Sequence, residues 1–173
     1  LPRAQAAGIP ARVINHRGFT NKHAFEAALD AALRAAGIEL VCLAGFMRIL
    51  SPWFVERWRD HLINIHPSLL PAYRGLDTHA QVLRAGGRIS GCTVHFVRAE
   101  MDDGPIVVQA AVPVLSSDTP ETLAARILVA EHRCYPLAVR LIAEGRARLE
   151  GERVVLSGVA EQAETTMVIS PLR

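Results

Sequence analysis

The order in which hydrophobic periodicity changes between residues 21 and 66 constrains this fold more than any other feature. Asn21 to Ala36 places Ala24, Phe25, Ala28, Leu29, Ala32 and Leu33 at spacings of three and four, which predicts an amphipathic helix closed by Gly37. Glu39 to Ala44 (ELVCLA) then reads as a continuous apolar run, the pattern of a parallel strand covered on both faces. Ser51-Pro52 opens a second helix, with Ser as N-cap and Pro in the first turn. His61 to Ile65 reads as another strand. Helix, strand, helix, strand in this order predicts an α/β fold with a doubly wound, mostly parallel sheet.

The period changes further on. Gly91 to Val97 and Pro105 to Val114 both read as strands joined by the short link Arg98 to Gly104, which suits an antiparallel edge. Thr78 to Ala85 is a short helix ended by Gly86-Gly87, and Ser117-Asp118-Thr119-Pro120 starts a long one reaching Ala143. Arg148 to Leu156, turning at residues 150–152, predicts a C-terminal hairpin, and residues 158–173 a loose tail or short extra element. Near the start, residues 3–8 read as a helix end closed by Gly8, and Pro10 to Asn15 as a short strand. Without repeats or linkers, the expectation is one domain, residues 1–157, followed by the tail.

Composition narrows the function classes. A net charge of +2 gives no general basic surface for nucleic acid. No apolar run approaches the roughly 18 residues of a membrane span. Cys42, Cys92 and Cys134 are odd in number, widely spaced and set among apolar residues, so buried free thiols in a reducing, cytoplasmic setting are expected rather than a disulfide framework.

The chemistry concentrates in Ile63-Asn64-Ile65-His66-Pro67-Ser68-Leu69-Leu70-Pro71. Alternation along a strand puts Asn64 and His66 on one face and Ile63 and Ile65 on the other. An amide and an imidazole therefore lie side by side at a strand's carboxyl end, where open α/β sheets bind ligands. Pro67 and Pro71 stiffen the exit. A lone His near apolar residues is usually a satisfied core residue. Here the preceding Asn and the proline-braced loop favour a functional reading. Asp102-Asp103 before Gly104-Pro105 would, out of context, be a solvated turn.

Three stretches, AGFMRILSP (44–52), NIHPSLLPAYRGLDTH (64–79) and GCTVHFVRAEMDDGPIVVQ (91–109), resemble the phosphoribosylglycinamide formyltransferase family. The resemblance runs from about Gln5 to Leu149. It implies a Rossmann-like formyltransferase fold, and transfer of a formyl group from 10-formyltetrahydrofolate to the amine of glycinamide ribonucleotide. Residues matching Asn64, His66 and Asp102 are the family's catalytic trio; the resemblance picks Asp102 over Asp103. Attack by an amine builds negative charge on the formyl oxygen, which a donor such as the Asn64 amide or His66 would stabilise. The resemblance also implies folate contacts by Lys22, Met47, Arg48, Ile49, Leu50, Asn64, Arg98, Ala99, Glu100, Met101 and Asp102. It implies nucleotide contacts by Leu128, Val129, Ala130 and Glu131. His95 is expected to line the pocket behind the trio. No metal is needed, although His66, His79 and His95 superficially suggest one. Partners are small molecules, neither nucleic acid nor membrane, and the protein is expected to be a monomer or homodimer.

The family begins with a strand and a glycine- and serine-rich loop whose backbone N–H groups hold the substrate phosphate. No such segment precedes Leu1 in this sequence, so the expectation is a domain lacking its N-terminal unit. The alternatives are a formyltetrahydrofolate deformylase, in which water replaces the amine, a methionyl-tRNA formyltransferase, and a non-catalytic folate-binding fragment.

Overall fold

A computed structural model describes residues 1–158; the tail expected over 158–173 otherwise lies outside the described residues. The chain divides into two compact units, Leu1–Glu39 and the residues from Leu40 onward.

In the first unit, helix α1 (Pro2–Ala6) ends before Gly8, whose positive φ of 66° continues the turn. A 3-10 turn, His16–Gly18, leads to helix α2 (Lys22–Ala35). The Asn21 side chain caps α2 by accepting from the Ala24 N–H at 2.8 Å. Phe25 meets the rings of Phe19 and His16 edge-on. Residues 10–15 form no strand, contrary to their alternation. Alternation does not supply a ladder partner, Pro10 has no N–H to offer one, and none pairs with this segment among the described residues.

The second unit carries strand β1 (Val41–Leu43), helix α3 (Pro52–Arg57), strand β2 (Leu62–His66) and helix α4 (Thr78–Arg84). Strands β3 (Ile89–Phe96) and β4 (Ile106–Pro113), helix α5 (Pro120–Ala143) and strands β5 (Ala147–Glu150) and β6 (Arg153–Leu156) follow. The larger sheet has the order β1-β2-β3-β4. β1 and β2 are parallel, while β2–β3 and β3–β4 are antiparallel, which makes the sheet mixed. β5 and β6 form the separate C-terminal hairpin.

Helix α5 lies over this sheet: Leu123, Ile127, Cys134, Ala138 and Leu141 share a buried cluster with Ile63, Cys92, Val94, Phe96 and Val107. Its start is a reciprocal cap, the Thr119 hydroxyl accepting from the Thr122 N–H and the Thr122 hydroxyl from the Thr119 N–H. At Gly91 an added Cβ would lie 1.9 Å from the Ala110 carbonyl oxygen, so only glycine lets β3 and β4 approach there.

Two expectations for β1 need correction. Val41 and Leu43 are half-buried and Cys42 is exposed, so the strand is not covered on both faces. It stands at the edge of the sheet among the described residues, where one flank lacks a neighbouring strand. Only Cys92 and Cys134 are the buried thiols that the sequence suggested.

Candidate active site

β2 delivers Asn64 and His66 as alternation requires. Ile63, of opposite parity, is wholly buried in the core, and Asn64 stands opposite His95 of β3. The loop after His66 is held by hydroxyls rather than by a ladder. Thr93, fully buried, donates to the Ser68 carbonyl at 2.7 Å and accepts from the Leu70 N–H at 3.0 Å and from Gln109 Nε2 at 2.9 Å. Ser68 donates to the Ala72 carbonyl, and Thr78 at the start of α4 to that of Pro67. These bonds satisfy backbone groups that the two prolines leave without strand or helix partners.

Asp102 completes the group. The loop between β3 and β4 returns so tightly that a Cβ on Gly104 would lie 1.7 Å from the Phe96 carbonyl oxygen. Asp102 takes a left-handed φ of 54°. That strained backbone turns its carboxylate inward, with Oδ2 3.4 Å from His66 Nδ1 and accepting from the Gly75 N–H at 2.9 Å. Tyr73 and Asp77, in the facing loop, also have positive φ, at 53° and 56°. His66 Nε2 donates to the Tyr73 carbonyl at 2.9 Å, so both ring nitrogens of this buried imidazole face oxygen atoms.

His95 stands behind the trio. Its Nδ1–H donates to the Phe96 carbonyl at 2.9 Å, leaving the Nε2 lone pair 3.5 Å from the Asn64 amide nitrogen and 3.9 Å from Asp102 Oδ1. Burial pushes the His95 pKa down, and the Phe96 carbonyl and Asp102 only partly oppose that. A neutral His95 accepts from Asn64 and thereby orients the amide, leaving its second N–H for a ligand. Asn64, His66, Asp102 and His95 are thus brought together. His79, on α4, has its Nδ1 buried without a hydrogen-bond partner, and burial together with nearby His66 lowers its pKa.

The other residues expected to bind are distributed differently. Met47 and Ile49 are 81% and 71% exposed, Arg48 is exposed, and Leu50 is buried beneath them. Ala99, Glu100 and Met101 are exposed on the β3–β4 loop. The Arg98 guanidinium is buried and committed to Asp60 at 2.9 Å and Glu152 at 2.7 Å. A cavity of about 680 Å³ runs between α3 (Pro52, Val55) and this loop (Arg98, Ala99, Glu100); it is a reasonable size for a small-molecule site, but the trio does not line it. Leu128 and Val129 are exposed on α5, whereas Ala130 and Glu131 are half-buried. Burial raises the Glu131 pKa. Lys22, in the first unit, stands 4.0 Å from Glu26.

Sequence reasoning missed Tyr73 and Gly75, which act through backbone atoms that no residue type announces. It also missed Tyr135, whose hydroxyl donates to the Leu43 carbonyl at 2.7 Å and lies 3.3 Å from that of Ile63. A tyrosine within the apolar run Cys134–Val139 was the available signal: it ties α5 to the end of β1 and to β2, and burial raises its pKa.

An Asn–His–Asp group at the end of a strand in an α/β sheet has the donors and the proton relay that an acyl-transfer site needs. Comparison with known proteins narrows that chemistry. Residues 1–139 match the model of the formyl transferase family. The chain is 42% identical to the phosphoribosylglycinamide formyltransferase of Escherichia coli (strain K12), over 91% of this chain and 74% of that protein. It is 50% identical to the trifunctional purine biosynthetic protein adenosine-3 of Bos taurus, over 93% of this chain but only 16% of the length of that relative. The crystal structure of glycinamide ribonucleotide transformylase 1 from Symbiobacterium toebii superposes with a TM-score of 0.86 at 50% identity, covering 90% of this chain and 73% of that one. The chain belongs to the formyl transferase family, on its phosphoribosylglycinamide formyltransferase branch.

Proposed function

We propose that this chain transfers the formyl group of 10-formyltetrahydrofolate to the amine of glycinamide ribonucleotide, with Asn64, His66 and Asp102 as the reacting constellation. The observation that carries the proposal is the 3.4 Å approach of Asp102 Oδ2 to His66 Nδ1 beside the Asn64 amide at the end of β2. The amine lone pair attacks the formyl carbon. Negative charge grows on the formyl oxygen, within reach of the Asn64 N–H and His66, in surroundings where such donors are strong. The new C–N bond forms as the bond to the folate nitrogen breaks. One proton leaves the amine and one reaches the departing nitrogen, with the His66–Asp102 pair as donor and relay.

The Tyr73 carbonyl accepts from His66 Nε2, the contact that a formyl oxygen would make. Substrate engagement by that nitrogen therefore requires the Tyr73 segment to yield. Exposed Met47 and Ile49 and the loop 98–102 offer apolar surface and backbone polar groups to the flat pterin. Residues 128–131 serve the nucleotide, Glu131 accepting from hydroxyls. The site acts on small molecules in the cytoplasm, in a monomer or homodimer.

A formyl-transfer assay on the full protein, with glycinamide ribonucleotide or water as acceptor, tests this reading. Formylated ribonucleotide is the expected product. Turnover with water alone would assign a deformylase, and folate binding without turnover a non-catalytic module.

A further inference from the structure

The side chain of Arg98 is built as a strut. It is 8% exposed, and each of its three nitrogens has a partner: Nη2 Asp60 at 2.9 Å, Nε Glu152 at 2.7 Å and Nη1 the Val97 carbonyl at 3.2 Å. Asp60 sits in the turn between α3 and β2 at a left-handed φ of 64°. Glu152 is the turn of the C-terminal hairpin, and its other oxygen holds Arg59 Nη2 at 2.7 Å. Three parts of the fold distant in sequence thus meet on one guanidinium, the group best suited to bind two carboxylates in fixed directions.

What the strut supports is the loop that carries Asp102. The loop's base is closed by the Phe96 N–H donating to the Pro105 carbonyl at 2.8 Å, with Arg98 immediately above. Its far end is fastened by Asp102 to the Gly75 N–H; the exposed pair of Asp103 with Arg74 adds little to that hold. The strained φ of Asp102 persists only if both ends are held.

We propose that Glu152, at the tip of the C-terminal hairpin, is a positioning residue: through Arg98 it sets the β3–β4 loop and so the seat of Asp102 beside His66. The kinetic part of this inference rests on the function proposed above; the structural part does not. Exchange of the Gly75 amide proton, which Asp102 protects, gives a readout independent of turnover. In Glu152→Gln that exchange accelerates by roughly fivefold or more while the global unfolding midpoint stays near wild type, and Glu152→Asp recovers part of the protection. In the transfer assay, Glu152→Gln lowers kcat by about threefold or more, as a displaced Asp102 would, and Glu152→Asp restores part of it. Unchanged Gly75 exchange in Glu152→Gln overturns the proposal. So does acceleration matched at every amide of the unit, which would mean general destabilisation. Absence of transfer in the wild-type protein would sink the proposed function and leave the exchange result to decide the role of Glu152.

Discussion

Asp102 and Asp103 are neighbours in sequence and face opposite ways. Asp102 is directed at His66 Nδ1 and the Gly75 N–H, with its side chain 12% exposed, whereas Asp103 is 47% exposed and pairs with Arg74. The left-handed φ at Asp102 produces the divergence. Asp102→Asn keeps the shape but removes the charge that pairs with His66. It is expected to lower kcat by at least about tenfold. Asp103→Asn loses an exposed ion pair and is expected to stay within about threefold of wild type. Steady-state rates of both variants check this; equal losses, or a larger one at Asp103, would exchange their roles.

In the proposed mechanism His66 carries the proton. Replacement by Ala is expected to lower the transfer rate by at least about a hundredfold with folate affinity nearly kept, because the imidazole acts in the transition state. Folate titration and single-turnover rates separate the two quantities. A rate equal to wild type removes His66 from the mechanism, and a parallel loss of affinity would make it a binding residue instead.

The parts of this site legible in sequence were those written in side-chain alternation. Asn64 and His66 had to share a face once β2 was recognised, and the antiparallel β3–β4 link followed from its shortness. The Ser51 cap was equally legible: its side chain accepts from the Phe54 N–H three residues on. The direction of Asp102 was not, because a left-handed residue in a tight loop is decided by the Gly104 approach to Phe96 and by bonds to Gly75. Nor was the engagement of Arg98 by Asp60 and Glu152, partners 38 and 54 residues away. Pro10–Asn15 failed for the complementary reason, since period alone does not provide a partner strand.

The start of α5 is a second place where charge is spent on structure. Asp118 accepts both nitrogens of Arg126, at 2.7 and 2.9 Å, together with the Leu115 N–H and the Thr122 hydroxyl. Arg126 foremost, and then these other donors, hold its pKa well below the ordinary 3.8. A depressed carboxylate stabilises the fold above its unfolded pKa and ceases to do so as pH falls through the folded one. Asp118→Ala is therefore expected to cost about 1–2 kcal/mol at neutral pH, the scale of a lost helix cap and its bonds. The deficit should shrink in strong acid. Denaturant unfolding of both proteins at neutral and acid pH checks the sign, and a deficit independent of pH would locate the effect in packing rather than charge.

Glu131 behaves in the opposite sense. Burial raises its pKa above the ordinary 4.5, and the charges of His132 and His66 only partly counter this. A carboxyl with a raised folded pKa favours the fold in its neutral form: the contribution is complete below 4.5 and is lost as pH rises through the folded value. Glu131→Gln has nothing to ionise. Its stability relative to wild type is therefore expected to improve from pH 4 to pH 8, as urea midpoints at the two values would read. The same substitution removes the acceptor proposed for the nucleotide, so KM for glycinamide ribonucleotide should rise while the fold gains. A stability difference that instead falls with rising pH would mean that the carboxylate has a cationic partner in solution strong enough to outweigh burial. An unchanged KM would remove Glu131 from the nucleotide site.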